Sequence, residues 1–277
     1  MGIARFITKL AFPLAICAFG GLLLLERRRP LRGKVESKGV RTSRNFVIAA
    51  AAFAAMQLIE RPVAEQSAII AERHNIGLLR LISLPKWLEK LAAIILLDYS
   101  LYLWHVLTHR VPFLWRFHVV HHVDLDLDAS TAVRFHFGEI ILSTAWRAAQ
   151  VVVIGVSPEF LRLWQAILLP SVLFHHSNID LPKRLESILS KFLVTPRLHG
   201  IHHSIVQCET DSNWSSGLSV WDRLHGTFRD RSAGDEVNVG VPAYRRPSDV
   251  TVGKLLELPF HKQPSAWERP PYTDDRQ

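Results

Sequence analysis

The sequence predicts an all-α fold: a multi-pass transmembrane helical bundle with a cytoplasmic histidine-rich helical cap. Three observations carry that expectation. Of 277 residues, 48% are hydrophobic and the mean hydropathy is +0.13, yet 33 Lys+Arg and 25 Asp+Glu remain. Apolar and charged residues must then be segregated, as in a membrane protein with a sizeable polar portion. Finally, 11 of the 14 histidines fall between His105 and His203, where even spreading would put about five.

The elements follow in chain order. Leu10–Leu25 is an uncharged, mostly apolar run after a short basic start. No small-x-small cleavage site precedes Glu26-Arg27-Arg28-Arg29, so an uncleaved span is the better reading than a signal peptide. Glu26–Asn45 carries Arg27, Arg28, Arg29, Arg32, Lys34, Lys38, Arg41 and Arg44 against Glu26 and Glu36. The positive-inside rule places it in the cytoplasm. Such a loop accounts for the net charge of +8, and no nucleic-acid partner is expected. Cys17 lies in an apolar run and Cys208 in a polar one, which argues against a disulfide scaffold and a cysteine zinc site.

Phe46–Ile59 is a second apolar segment, short for a full span. Glu60–Lys90 has balanced charge and is expected on the far side. Leu91–Trp104 returns, interrupted by Asp98. Gly138–Val156 and Phe160–Phe174 form two further apolar stretches, joined by Ser157-Pro158, an N-cap followed by a first-turn proline. Arg147, Gln150 and Arg162 weaken simple spanning there, leaving a shallow hairpin as an alternative. Beyond Phe174 the chain is mainly polar. Leu185, Ile188, Leu189, Phe192 and Leu193 still share one helical face beside Lys183, Arg184 and Lys191. That pattern suits a helix on the membrane surface or one packed on a core. Counting crossings from the basic loop puts every histidine of the rich window on the cytoplasmic side. Three parts are expected: N-terminal membrane segments and basic loop over 1–90, a catalytic part over 91–230, and a polar tail over 231–277.

The histidines are spaced for metal. His105 and His109 are i, i+4. His118, His121 and His122 are i, i+3, i+4, and His199, His202 and His203 repeat the triplet. On helices, each set shares one face. Pro112 opens a helix for the first triplet, and Thr195-Pro196 caps and opens one for the second. His175-His176 stands between them. Neutral imidazole suits zinc, copper, iron and nickel. Eight or more histidines are too many for one ion, and two ions fit the count. His74 and His261 stand alone and are expected to be ordinary surface or core residues. His105-Val106-Leu107-Thr108-His109 lacks the glutamate of a zincin helix. A bis-histidine haem protein uses single histidines inside facing spans. A metal transporter places ligands at mid-membrane.

This pattern resembles the fatty acid hydroxylase/sterol desaturase superfamily. The resemblance runs over roughly Asp98–Thr227. It rests on His105/His109, His118/His121/His122, His176 in His176-Ser177-Asn178, and His199/His202/His203. Leu114-Trp115-Arg116-Phe117-His118 matches the lead into the first triplet. Thr131–Glu139 is similar to the motif that supplies Arg134, His136 and Glu139. Trp221-Asp222-Arg223-Leu224 with Gly226-Thr227 resembles the C-terminal signature. Phe137 stands where the family has proline, His225 where it has an aromatic, and Trp214-Ser215-Ser216-Gly217 where Tyr-Gly usually follows the asparagine.

The resemblance implies a di-iron oxygenase with two Fe ions per chain and O2 as co-substrate. The catalytic and metal set would be His105, His109, His118, His121, His122, His199, His202 and His203, joined by His176 and His136 as metal ligands. Glu139 would orient a ligating imidazole from behind. The substrate would be a lipid, a fatty acyl chain or sterol, hydroxylated or desaturated. No fused cytochrome b5 motif, Gly-rich dinucleotide loop or CxxC is present in the sequence. A separate electron-transfer partner of cytochrome b5, ferredoxin or reductase type is therefore expected. The setting would be a bacterial inner membrane or endoplasmic reticulum. The rival class is a membrane metal-binding protein without redox catalysis.

Overall fold

The structure is a computed structural model, and it describes residues 17, 19–231 and 237–268. Most of the expected Leu10–Leu25 span lies outside the described residues. A first helix, α1, is described over residues 19–28. It is followed by α2 (Lys38–Ala55), a π-helical turn (Met56–Glu60), α3 (Arg61–Arg73), α4 (Lys86–Arg110), α5 (Pro112–His122), α6 (Phe137–Ile154) and α7 (Pro158–His176). Five short α-helices follow among the described residues: α8 (Lys183–Leu189), α9 (Pro196–His202), α10 (Gln207–Thr210), α11 (Val220–Leu224) and α12 (Val252–Glu257). Among the described residues there are isolated β-bridges but no strand. The architecture is all-α.

The local start signals act as their chemistry requires. Ser157 Oγ accepts from the Phe160 amide ahead of Pro158, and Thr195 Oγ1 accepts from the Leu198 amide ahead of Pro196. Each satisfies one amide that the first turn leaves without a partner. Pro112 opens α5.

Among the described residues, three helical runs are long and apolar enough to cross a membrane: Lys38–Arg80, Lys86–Arg110 and Phe137–Ile154. Only 22–33% of their apolar windows is buried. Most of that apolar surface therefore faces outward, as lipid contact requires.

Two expectations change here. Phe46–Ile59 is not a short segment, because α2 runs through the π-helical turn directly into α3. The charged stretch after Glu60 is helical for that reason. Arg147, which weakens simple spanning in the sequence, is accommodated within α6, a helix long and apolar enough to cross a membrane. It pairs with Glu60 at 3.6 Å and stacks on Trp164 at 4.9 Å, while Ser143 Oγ donates to Glu60 at 2.9 Å. The helix tolerates this charge because its partner comes from the neighbouring helix.

Two cores position the site. Ala64, Ala68, Leu97, Val151, Phe160 and Trp164 pack α3, α4, α6 and α7 together. Ile48, Val119, Val120, Val123, Tyr244, Val250 and Leu255 form the second. The C-terminal segment thus contributes apolar residues that back α5.

Candidate metal centre

Four helices deliver the histidines. α4 ends in His105 and His109, α5 carries the first triplet, α7 ends in His175 and His176, and α9 carries the second triplet up to His203 at its C-cap. Their side chains gather in two groups. One holds His105, His109, His118, His122 and His202. The other holds His121, His176, His199 and His203. Within each group the candidate ligand atoms lie within 4.8 Å of one another.

The neighbours His121 and His122 fall in different groups, as do His202 and His203. Successive residues point about 100° apart on a helix, so one triplet serves two positions. The groups adjoin where His122 and His203 stack, ring centroids 4.3 Å apart and 15° from parallel.

The distal ring nitrogens are held from behind. His105 Nδ1 donates to Trp214 O at 2.7 Å, His202 Nδ1 to Ser212 O at 2.9 Å, and His176 Nδ1 to Val172 O at 2.8 Å. His121 Nδ1 donates to Arg134 O at 3.3 Å. A carbonyl oxygen only accepts, so each of these nitrogens carries the proton. Neutral imidazole has one N–H, and its Nε2 is then a bare acceptor. Burial, then neighbouring histidines, holds His121, His122, His199 and His203 well below the usual histidine range, and burial takes His202 down to about 3. The rings are neutral.

Two bare nitrogens then face each other, and further Nε2 atoms close around them. His176 Nε2 lies 3.0 Å from His121 Nε2. Both rings spend their proton on a carbonyl, so no hydrogen bond joins this pair. His199 Nε2 lies 3.0 Å from His176 Nε2 and 3.2 Å from His203 Nε2, and His118 Nε2 lies 3.2 Å from His122 Nε2. Nitrogens bound to one ion at about 2.1 Å and at right angles sit about 3.0 Å apart. Buried His109 Nε2 and His202 Nε2 find no protein partner. The donor set fits a cation in each group.

His118 Nδ1 donates to Glu139 Oε1 at 2.9 Å, the place expected for a carboxylate that orients a ligating imidazole. His136 is buried but joins neither group. Its Nδ1 accepts from the Gly138 amide at 3.0 Å as N-cap of α6, and its Nε2 lies 3.1 Å from Leu256 O. Both of its nitrogens are used in the scaffold. His74 and His261 also lie outside the groups. His175 packs on His199 with centroids 4.1 Å apart, yet it is in neither group.

The carbonyls behind His105 and His202 come from one loop, and Asp222 fixes it. Its carboxylate accepts from the Trp214 amide at 2.9 Å, the Ser215 amide at 3.0 Å and Thr227 Oγ1 at 2.7 Å. Asn213 sits in the left-handed region at φ 51°. Asp98, within the apolar α4, accepts from Trp221 Nε1 at 2.7 Å and the Leu218 amide at 3.1 Å. The C-terminal signature thus docks on a helix long and apolar enough to cross a membrane.

Buried charges fix the first triplet. Asp124 receives Arg41 at 2.8 Å and Arg134 at 2.9 Å. Burial opposes its charge, but Arg134 and Arg41 hold its carboxyl at about 2. Arg41 also pairs with Asp128.

Comparison with known proteins agrees with this geometry. The fatty acid hydroxylase family model matches residues 90–227. Ornithine lipid hydroxylase OlsE of Rhizobium tropici is 31% identical over 183 residues, 65% of this chain and 52% of that protein. Human alkylglycerol monooxygenase is 31% identical over 170 residues, 61% of this chain and 36% of that protein. Mouse cholesterol 25-hydroxylase is 28% identical over 141 residues, 50% of this chain and 46% of that protein. The aligned regions cover about half or less of these three relatives. No solved structure matches. The chain belongs to the fatty acid hydroxylase/sterol desaturase superfamily.

Proposed function

We propose that the chain is a membrane-bound di-iron oxygenase that hydroxylates or desaturates a lipid with O2. The observation that carries this reading is the contact of bare nitrogens, His176 Nε2 against His121 Nε2 at 3.0 Å. A buried pair of acceptors is repulsive until a cation lies between them. His105, His109, His118, His122 and His202 would hold one iron, and His121, His176, His199 and His203 the other. Bound there, the pair supplies O2 activation for attack on an unactivated C–H bond. The protein's part is to keep the imidazoles neutral and aimed. Burial keeps them neutral, and the carbonyls of Trp214, Ser212, Val172 and Arg134 with the carboxylate of Glu139 aim them.

The relatives named as lipid hydroxylases and monooxygenases support a lipid substrate. The outward apolar surface of the three long helices supports access for it from the bilayer. We place the catalytic unit in residues 91–230, with 1–90 and 231–277 around it. The histidine end faces the cytoplasm in this reading. In its support, the basic segment is tied directly to the histidine loops through Arg32 and Arg41, so both share one side. A separate donor of cytochrome b5, ferredoxin or reductase type supplies the electrons.

The test uses the purified protein loaded with ferrous iron, an electron donor, membrane lipids and isotopically labelled O2. A lipid product carrying the label, or a desaturated product formed only with O2, is expected. Retained iron with neither product would instead favour a metal-binding protein without redox catalysis.

A further inference from the structure

The basic segment between α1 and α2 reads as an ordinary cytoplasmic loop, yet one of its arginines is built into the histidine site. Arg32 Nη1 donates to Pro196 O at 3.1 Å. Its Nη2 donates to Ser177 O at 3.1 Å and to Leu127 O at 3.4 Å. The main chain is held as well. The Arg32 amide donates to Asn178 Oδ1 at 2.9 Å, and Asn178 Nδ2 donates back to Arg32 O at 3.0 Å. A methyl group at Gly200 would lie 2.5 Å from Nη1, so the absence of a side chain there lets the guanidinium approach α9.

These three carbonyls are not scattered. Ser177 directly follows His176. Pro196 opens the helix that carries His199 and leads into His203. Leu127 lies on the loop leaving the helix that carries His121. Arg32 thus bonds one stretch next to each ligand-bearing element of the second group. α5 and α9 also carry His118, His122 and His202 of the first group, but α7 serves the second group alone, and among the described residues Arg32 bonds the end of α7 and nothing on α4, which serves the first group alone. The planar fork can serve three carbonyls at once, which a lysine ammonium on a single flexible stem does less well.

We propose that Arg32 is a positioning residue for the second histidine group, aligning three separate chain segments so that one ion can be held there. Resting on the two-ion reading, this goes beyond it: Arg32 lies outside residues 90–227 that match the family model. The second position would then depend on a segment outside the stretch that the family model matches.

The test is iron per chain, and the affinity of each ion, in wild type, Arg32→Ala and Arg32→Lys. Arg32→Ala should weaken the second ion by about 10–100-fold and the first ion by less. Arg32→Lys should fall between. Millimolar guanidinium should restore the second ion to Arg32→Ala and not to His176→Ala, a rescue that a misfolded variant would not show. Should Arg32→Ala fail to accumulate, Asn178→Ala releases the arginine main chain and should weaken the second ion selectively. Unchanged second-ion affinity in these variants, or equal loss of both ions without rescue, overturns the role of Arg32. Wild type with a single ion overturns the two-ion reading itself.

Discussion

His176 Nε2 and His121 Nε2 lie 3.0 Å apart, each on a ring whose other nitrogen donates to a backbone carbonyl. The two helices that bring them together, α5 and α7, are separated in sequence by all of α6. This contact costs free energy in the empty protein and becomes favourable when a cation is shared.

The first prediction concerns acid. His121, His122, His199 and His203 are held well below the usual histidine range and His202 at about 3, while the unfolded chain titrates near about 6.5. Below about 6.5 the unfolded state therefore binds more protons, and stability is lost as pH falls. The metal-free protein should become progressively easier to denature from about pH 6.5 toward about pH 3. Denaturation midpoints in detergent across that range check it. A flat profile would show that the rings are not buried neutral.

Glu139→Ala should weaken metal binding by about 10–100-fold while leaving the helices intact. The partner lost is His118 Nδ1 at 2.9 Å. Metal titration, with circular dichroism as control, measures it. Full affinity would mean that the carboxylate has no orienting role.

Asp222→Ala should destabilise the loop that supplies the carbonyls of Ser212 and Trp214. It leaves the Trp214 and Ser215 amides without their acceptor, each worth about 1–3 kcal/mol when buried. Faster proteolysis within 212–217 and weaker metal binding are expected together. Loss of neither would contradict the loop's part in the site.

Arg147→Leu should be worse than Glu60→Gln/Arg147→Leu. The single change leaves Glu60 without its cation among apolar helices, whereas the double change removes both charges. Thermal unfolding in detergent compares them, and equal losses would show that the pair is not coupled.

Much of the site was legible in the sequence because histidine spacing and helix geometry are both periodic. The i, i+3, i+4 triplets and the 100° offset of His121 from His122 predict one face shared between two positions, and the structure divides them so. The proline and N-cap signals at Ser157 and Thr195 act locally, and they survive folding unchanged. What escaped is what depends on distant partners. The carbonyls that hold His105, His176 and His202 leave no mark on side-chain identity. Arg147 counts against a membrane helix until Glu60, at the end of the π-helical turn, meets it from outside α6. His136 was placed among the candidate ligands by its motif, although its position at the start of α6 is also that of a cap. Arg32 was one basic residue among eight in its segment, and nothing local set it apart.

The most direct test of the central claim is elemental analysis of the purified, active protein alongside turnover of its variants. The account predicts two iron ions per chain. His121→Ala and His202→Ala should insert normally, hold less metal and lose turnover, while His74→Ala and His261→Ala stay active. A single ion per chain in active wild type, or full activity in His202→Ala, would contradict it.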